Sequence, residues 1–167
     1  MKINTFEELL VHEMQDLYDA EQHIAKALPK MASAASSPQL RSAFEQHLEQ
    51  TKMQIGRLEQ AFQGVAQVPK TGSCKGVKGL IDEGSALIDE KADPAVKDAG
   101  LIVVAQKIEH YEIAAYGSVR AWANRLGHER IAELFDRTLQ EEKDTDRILS
   151  QLAESSVNVR AEEQMTR

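Results

Sequence analysis

The sequence predicts an all-α protein: four long helices in a bundle, divided by a long crossover that carries an additional short helix. Three observations predict it. Ala, Leu, Glu, Gln and Lys abound, while only 4 of the 167 residues are proline and β-branched runs are few. Apolar residues recur every three to four positions along four long stretches, the period of one helix face. Cap and proline signals punctuate the chain where those stripes begin and end. The length suits a single domain with a sizeable core.

Thr5 followed three residues later by Glu8 has the form of a capping box and opens the first helix. Its stripe is Phe6, Leu10, Leu17, Ile24, Leu28 and Met31, and Pro29 is expected to kink or end it. In "SSPQL", Ser37 is the N-cap and Pro38 the first helical residue of the second helix. Leu40, Phe44, Leu48, Ile55, Leu58 and Phe62 share one face of it. "GVAQVPKTGSCKG" reads as a loop by its Gly and Pro content. A short helix follows from about Gly76 to Lys91, through Leu80, Ile81, Leu87 and Ile88.

Asp93-Pro94 repeats the cap-plus-proline signal and opens the third long helix, which runs to Leu126 with Gly127 as its C-cap. The fourth extends from about His128 to Glu154, with Ile131, Leu134, Phe135, Leu149 and Leu152 inward. One helical domain is therefore expected over residues 1–156. Residues 157–167, which lack an apolar stripe, are expected to be disordered. Short connections make the first two long helices one antiparallel hairpin and the last two another. About 28 residues separate the hairpins, enough to travel the length of a bundle, as a ferritin-like crossover must.

Composition excludes several classes. A net charge of −7 argues against nucleic acid, which needs a basic footprint. No apolar run approaches a membrane span, and "MKINTFEELLVHEM" turns acidic and amphipathic at once, so no signal peptide is expected. Cys74 is the only cysteine, which rules out an internal disulfide and a Cys-x-x-Cys metal knuckle and fits a reducing cytoplasm.

Chemistry enters with the carboxylates. Within "VAQKIEHYEIAAYGSVRAW", Glu109 and Glu112 fall inside the apolar stripe of the third long helix. Glu21 lies about 40° from the centre of the first stripe, and Glu142 lies near the centre of the fourth. Thr145 also points inward, and Asp146 sits at the margin. On the second helix Thr51 is central, His47 and Gln54 flank it, and Glu49 faces away. Each of the four glutamates is about 14–18 residues from the start of its helix, or about 20–27 Å at about 1.5 Å per residue. They are expected to converge near one midplane.

Convergent buried carboxylates need a basic partner, shared protons or a bound cation. Lys26, Lys107 and Lys143 fall off the stripes, and Arg120 lies about three turns beyond Glu109. Oxygen-rich sites in bundle cores suit Fe or Mn pairs. Glu21, Glu109, Glu112 and Glu142 are accordingly candidate ligands of a di-metal centre, with a proton-sharing polar core as the other reading. A lone histidine beside an apolar edge is more often a hydrogen-bonded core residue, so His47 is left outside the set. His110 lies on the back of its helix, and His12, His23 and His128 have no spacing partner. Tyr18 and Tyr116 lie near the proposed site, where packing with a satisfied hydroxyl is their simplest role. Cys74, in a Gly/Lys loop without a base beside it, is taken as incidental.

At "VHEMQDLYDAEQHIAKALPKMA", "LRSAFEQHLEQTKMQIGRLEQAF", "KGLIDEG", "DAGLIVVAQKIEHYEIAAYGS" and "LQEEKDTD" the chain resembles the YciE/YciF-type ferritin-like stress proteins, and within them the YciF branch. The resemblance implies a ferritin-like bundle, a homodimer and a bacterial stress response. Rubrerythrin-like relatives of that fold carry one Glu on helix one, E-x-x-H on helix two, E-x-x-E on helix three and E-x-x-H on helix four. Glu21, Glu109, Glu112 and Glu142 match the glutamates of helices one, three and four. Thr145 stands in the histidine position of helix four, and Thr51 and Gln54 replace both ligands of helix two. The four-cysteine rubredoxin module is absent, so the electron donor is unnamed. The resulting expectation is a protein that acts on ferrous iron, peroxide or oxygen, with no membrane or nucleic-acid partner and no assigned catalytic residue. The alternative is a non-catalytic dimeric scaffold with a degenerate site.

Overall fold

Four amphipathic stripes can leave water together only by facing a common axis, and the architecture follows from that. The computed structural model describes residues 3–163. The helices are α1 (Phe6–Ala34), α2 (Pro38–Gly64), α3 (Lys75–Asp89), α4 (Pro94–Arg125) and α5 (Glu129–Leu152). A π-helical turn, Ala153–Val157, leads into a short α6 (Asn158–Glu162). No strand occurs among the described residues, and no helix is long and apolar enough to cross a membrane.

The caps form as the sequence dictates. Thr5 Oγ1 accepts the Glu8 amide at 3.1 Å, and Glu8 Oε2 accepts the Thr5 amide at 3.0 Å. Ser37 Oγ accepts the Leu40 amide, and Asp93 Oδ1 accepts the Ala95 amide. Gly127, at φ 84°, takes the left-handed turn that ends α4. Pro29 departs from expectation, because α1 runs five residues past it. The proline ring is exposed, where water can replace the lost backbone bond, and burial of Met31 and Ala32 holds the last turn. Phe6 also departs. It is 40 % exposed and rests its ring 5.7 Å from Trp122 instead of entering the core.

Side-chain pairs fix the directions. Tyr18 meets Glu59 and Phe62 across α1 and α2, and Tyr116 meets Glu21 across α4 and α1. Gln54 meets Glu142 across α2 and α5, and Gln106 meets Asp146 across α4 and α5. Along each pair the numbers run in opposite senses. Gln50, Gln54 and Arg57 of α2 meet Thr145, Glu142 and Thr138 of α5, and Gln106, His110 and Arg120 of α4 meet Ser150, Asp146 and Asp136 of α5. Phe6 and Glu21 of α1 meet Trp122 and Tyr116 of α4, so the neighbouring pairs are antiparallel. That up-down-down-up order requires the crossover.

The crossover is strapped to α1. Gln15 O accepts the Gly72 amide at 2.8 Å, Asp16 Oδ1 accepts the Ser73 amide at 3.1 Å, and Asp19 Oδ2 accepts the Cys74 amide at 2.9 Å. The approach is close enough that a Cβ on Gly72 would sit 2.3 Å from Asp16 Oδ1, so only glycine fits. Cys74 is not a loose loop cysteine. It is buried, its sulfur caps α3, and it lies 3.0 Å from the Tyr111 hydroxyl. At the other end, Asp98 on α4 accepts the Ser36 amide and hydroxyl and the Ser37 amide at 2.6–2.8 Å, tying the α1–α2 turn to the second hairpin.

The expected disorder from residue 157 is corrected. The helix continues to Glu162, and Val157 is buried in the core with Leu149. The π-helical turn supplies the reason: a step of about 4.4 residues brings Val157 into phase with Leu152 and Ala153, which a 3.6-residue wheel misses. Residues 164–167 lie outside the described residues.

Two predictions follow from these ties. Asp98→Ala leaves two backbone amides at a buried turn without an acceptor, and should cost about 3 kcal/mol or more in urea unfolding. Asp19→Ala removes the acceptor of the Cys74 amide and the 2.8 Å partner of Lys78, a loss of about 1–3 kcal/mol. Burial pushes the Asp19 carboxyl up, but Lys78 and the Cys74 amide outweigh it and hold it below its usual 3.8. A depressed acid stabilises the fold above its unfolded pKa. The wild-type advantage over Asp19→Ala should therefore be full above about pH 5 and shrink as pH falls through 4.

Candidate metal centre

The core is not continuously apolar. One apolar half contains Ile24, Phe44, Ile108 and Leu149, and the other contains Leu17, Leu58, Tyr116 and Leu139. Between them each long helix contributes polar side chains at the same level. Glu21 comes from α1, His47, Thr51 and Gln54 from α2, Glu109 and Glu112 from α4, and Glu142 and Thr145 from α5. All are buried, and Glu21, Glu112 and Glu142 have no exposed surface. The helical period that buries the apolar residues on either side carries these groups inward with them.

Within this layer His47, Glu109, Glu112 and Glu142 form the tightest set, each offering a ligand atom within 4.8 Å of the others. His47 Nδ1 lies 3.2 Å from Glu109 Oε1, and Nε2 lies 3.6 Å from Glu142 Oε2. Glu21 is held beside them by the Tyr116 hydroxyl, which donates to Oε1 at 2.5 Å. The structure thus brings together the three candidate glutamates of α4 and α5, places Glu21 outside the tightest set, and adds His47. The α2 stripe turns His47 inward beside Thr51, as expected, but does not distinguish a ligand from a core histidine. The histidine gains its role from α4 and α5, which a single-helix wheel does not see.

The surrounding groups orient the set. Gln54 donates its amide to Glu142 Oε1 and, at 3.1 Å, to Glu141 Oε2. Glu141 in turn grips Arg57 through two bonds of 2.6 Å, and Arg57 also reaches Thr138 Oγ1 at 3.1 Å. This half-buried pair is the nearest fixed positive charge, and Glu141 neutralises it. Thr145 turns its hydroxyl to Gln50, and Asp146 serves Gln106 and His110 at the bundle margin, so neither completes the set. Glu49 is exposed, as expected, and pairs with Lys52. Tyr18 bonds Glu59, and His128 bonds Glu7.

Electrostatically the layer is unfavourable as it stands. Burial, followed by the charge of Glu142, raises the carboxyls of Glu21, Glu109 and Glu112 well above the usual range. Burial and the neighbouring Glu21 also raise the Tyr116 hydroxyl, keeping it a proton donor. Both oxygens of Glu112 and one each of Glu21, Glu109 and Glu142 lack a hydrogen-bond partner, as does His47 Nε2. Buried acceptors are rarely left in that condition. Donor atoms around one small divalent ion lie at most about 4.3 Å apart, so the set fits a cation with small inward movements.

Comparison with known proteins places the chain in a family. The model of the domain of unknown function DUF892 matches residues 5–162. Protein YciF of Escherichia coli is 41% identical over 163 residues, spanning 97% of this chain and 98% of that protein. The crystal structure of the E. coli stress protein YciF superposes with a TM-score of 0.90 over 93% of this chain and 99% of that one. YcfI from Rhodopseudomonas palustris, 44% identical, gives 0.87 over 89% and 95%. A protein from Xanthomonas campestris pv. campestris, 23% identical, shares the fold with a TM-score of 0.74 over 96% and 99%. By sequence and by a bundle that matches from the first helix to the last, the chain belongs to the DUF892 family and is a homologue of the stress protein YciF.

Proposed function

We propose that this protein is a stress-response metalloprotein whose bundle core holds Fe or Mn between Glu109, Glu112, Glu142 and His47, with Glu21 supplying the remaining carboxylate of a di-metal centre. The observation that carries the proposal is a cluster of buried carboxylates with orphaned oxygens, whose ligand atoms and that of His47 lie within 4.8 Å of one another. Hard oxygen donors with one imidazole suit those metals. Bound iron would supply electron-transfer chemistry toward peroxide or oxygen.

The chain's own residues have separable tasks. Gln54 fixes the rotamer of Glu142, and the Arg57–Glu141 pair fixes Gln54. Tyr116 orients Glu21 and keeps a proton at its hydroxyl oxygen. The two apolar halves exclude water from both ends of the layer, so a charge held there is poorly screened and tightly bound.

A second reading has its own support. His47 already lies against two carboxylates, and Gln54 already donates to one, so a metal-free layer can persist as a network that shares protons. The protein would then be a helical scaffold.

Metal analysis of the purified chain separates the two. About two Fe or Mn per chain should be found or taken up anaerobically, and none after Glu109→Gln with Glu112→Gln. At about 100-fold excess over Kd, metal should raise the melting temperature of the wild type by about 5–10 °C and leave the double variant unmoved. In the metal-free state the double variant should be the more stable protein, because neutral amides relieve the repulsion. A wild type that folds, takes up no metal and melts at the same temperature with and without it is the scaffold.

His47→Ala separates ligand from bystander. It should weaken metal affinity about 10- to 100-fold while circular dichroism remains helical, as measured by competition with a chromogenic chelator.

A further inference from the structure

Beneath α3, where it crosses α1 and α4, lies a cleft of about 230 Å³. Its floor is aliphatic: Met31, Ile81, Ile88, Val104 and Ile108. Its rim is basic, formed by His23, Lys26 and Lys30 of α1, and no acidic residue lines it. That combination stands out in a chain with 27 acidic and 20 basic residues. Lys26 and Lys30 are exposed one turn apart, and among the described residues neither has a carboxylate within ion-pairing reach. The other basic residues nearby are committed, Lys78 to Asp19 and Lys107 to Glu83.

A separate apolar recess of only about 10 Å³ shares Ala27, Met31 and Ile108 with the lining of the cleft and touches His47 and Glu109. The cleft opens to solvent at its lysine rim, so an occupant that covers the aliphatic floor removes apolar surface from water. An aliphatic cavity of about 150 Å³ accepts benzene, so this one accepts a chain or ring of about eight to ten carbons.

We propose that the cleft is a binding site for an amphipathic carboxylate. The acid group lies between Lys26 and Lys30, and the apolar body lies on Met31, Ile81, Ile88, Val104 and Ile108. The floor supplies affinity by burying carbon, and the paired lysines select an anion over a neutral or cationic molecule of the same length. The site stands whether or not the core holds a metal.

The test is a titration of the ¹⁵N-labelled full chain with decanoate, followed by amide shifts. Saturable shifts should be confined to residues 23–31, 81–88 and 104–108. Decanol and decyltrimethylammonium should bind about tenfold more weakly or not at all. Lys26→Glu with Lys30→Glu, both on the exposed face and so harmless to folding, should weaken decanoate about tenfold or more. Ala27→Phe should block it. Should Ala27→Phe fail to fold, the charge-reversed variant decides. Decanoate that never saturates these amides, or that binds no better than decanol and is indifferent to charge reversal, overturns the proposal.

Discussion

Carboxyl groups from three separate helices meet in a layer shut off from bulk solvent, and this constraint organises the rest of the molecule. Burying an ionised carboxylate without compensation is among the costliest things a fold can do. Here Glu21, Glu109, Glu112 and Glu142 share one level, and the apolar residues above and below prevent any of them from turning to solvent. The two halves of the core must therefore be stable enough to hold the layer closed. Phe62, Phe135 and Tyr116 on one side, and Phe44 on the other, are the largest side chains fully buried there.

The ties outside the core serve the same end. A bundle whose hairpins could slide past one another by one helical turn would carry Glu109, Glu112 and Glu142 about 5.4 Å away from the level of Glu21 and His47. Asp98 opposes such sliding at one end, where α4 grips the α1–α2 turn, and the Gln15, Asp16 and Asp19 contacts fix the crossover along α1. The Arg57–Glu141 pair does so near the layer itself, between α2 and α5. Each contact is long in sequence and short in space, so register is set by polar bonds that apolar packing alone would leave loosely specified.

Much of this was legible in the sequence because helical periodicity is strict. The inward direction of Glu21, Glu109, Glu112 and Glu142 follows from counting residues, and so does their common depth once the caps at Thr5, Ser37 and Asp93 are recognised. What stayed hidden depends on neighbours. His47 lies on a helix whose own pattern calls it a core residue, and only the approach of α4 and α5 makes it a candidate ligand. Arg57 and Glu141 are unremarkable on separate wheels and form a bidentate pair only when α2 and α5 pack. Pro29 reads as a helix stop, yet burial of the turn beyond it outweighs the lost bond. The π-helical turn at Ala153–Val157 breaks the counting rule itself, which is why Val157 looked like tail.

The asymmetry of the layer bears on what it can hold. The α2 wall offers an imidazole, a threonine and an amide, while the opposing helices offer carboxyls, so negative charge is concentrated on the α1, α4 and α5 sides. Arg57 does not offset it, because Glu141 already claims that charge through two bonds. If all four glutamates ionise, a protonated His47 returns only one positive charge and leaves the layer strongly negative. Two divalent cations would balance four carboxylates and leave His47 to serve as a neutral imidazole ligand. Substituting a carboxamide for any one glutamate would upset that equality by a full charge, whereas Thr51 and Gln54 keep the α2 wall from adding a fifth carboxylate. The neutral α2 wall thus leaves the charge of the layer to the other three helices.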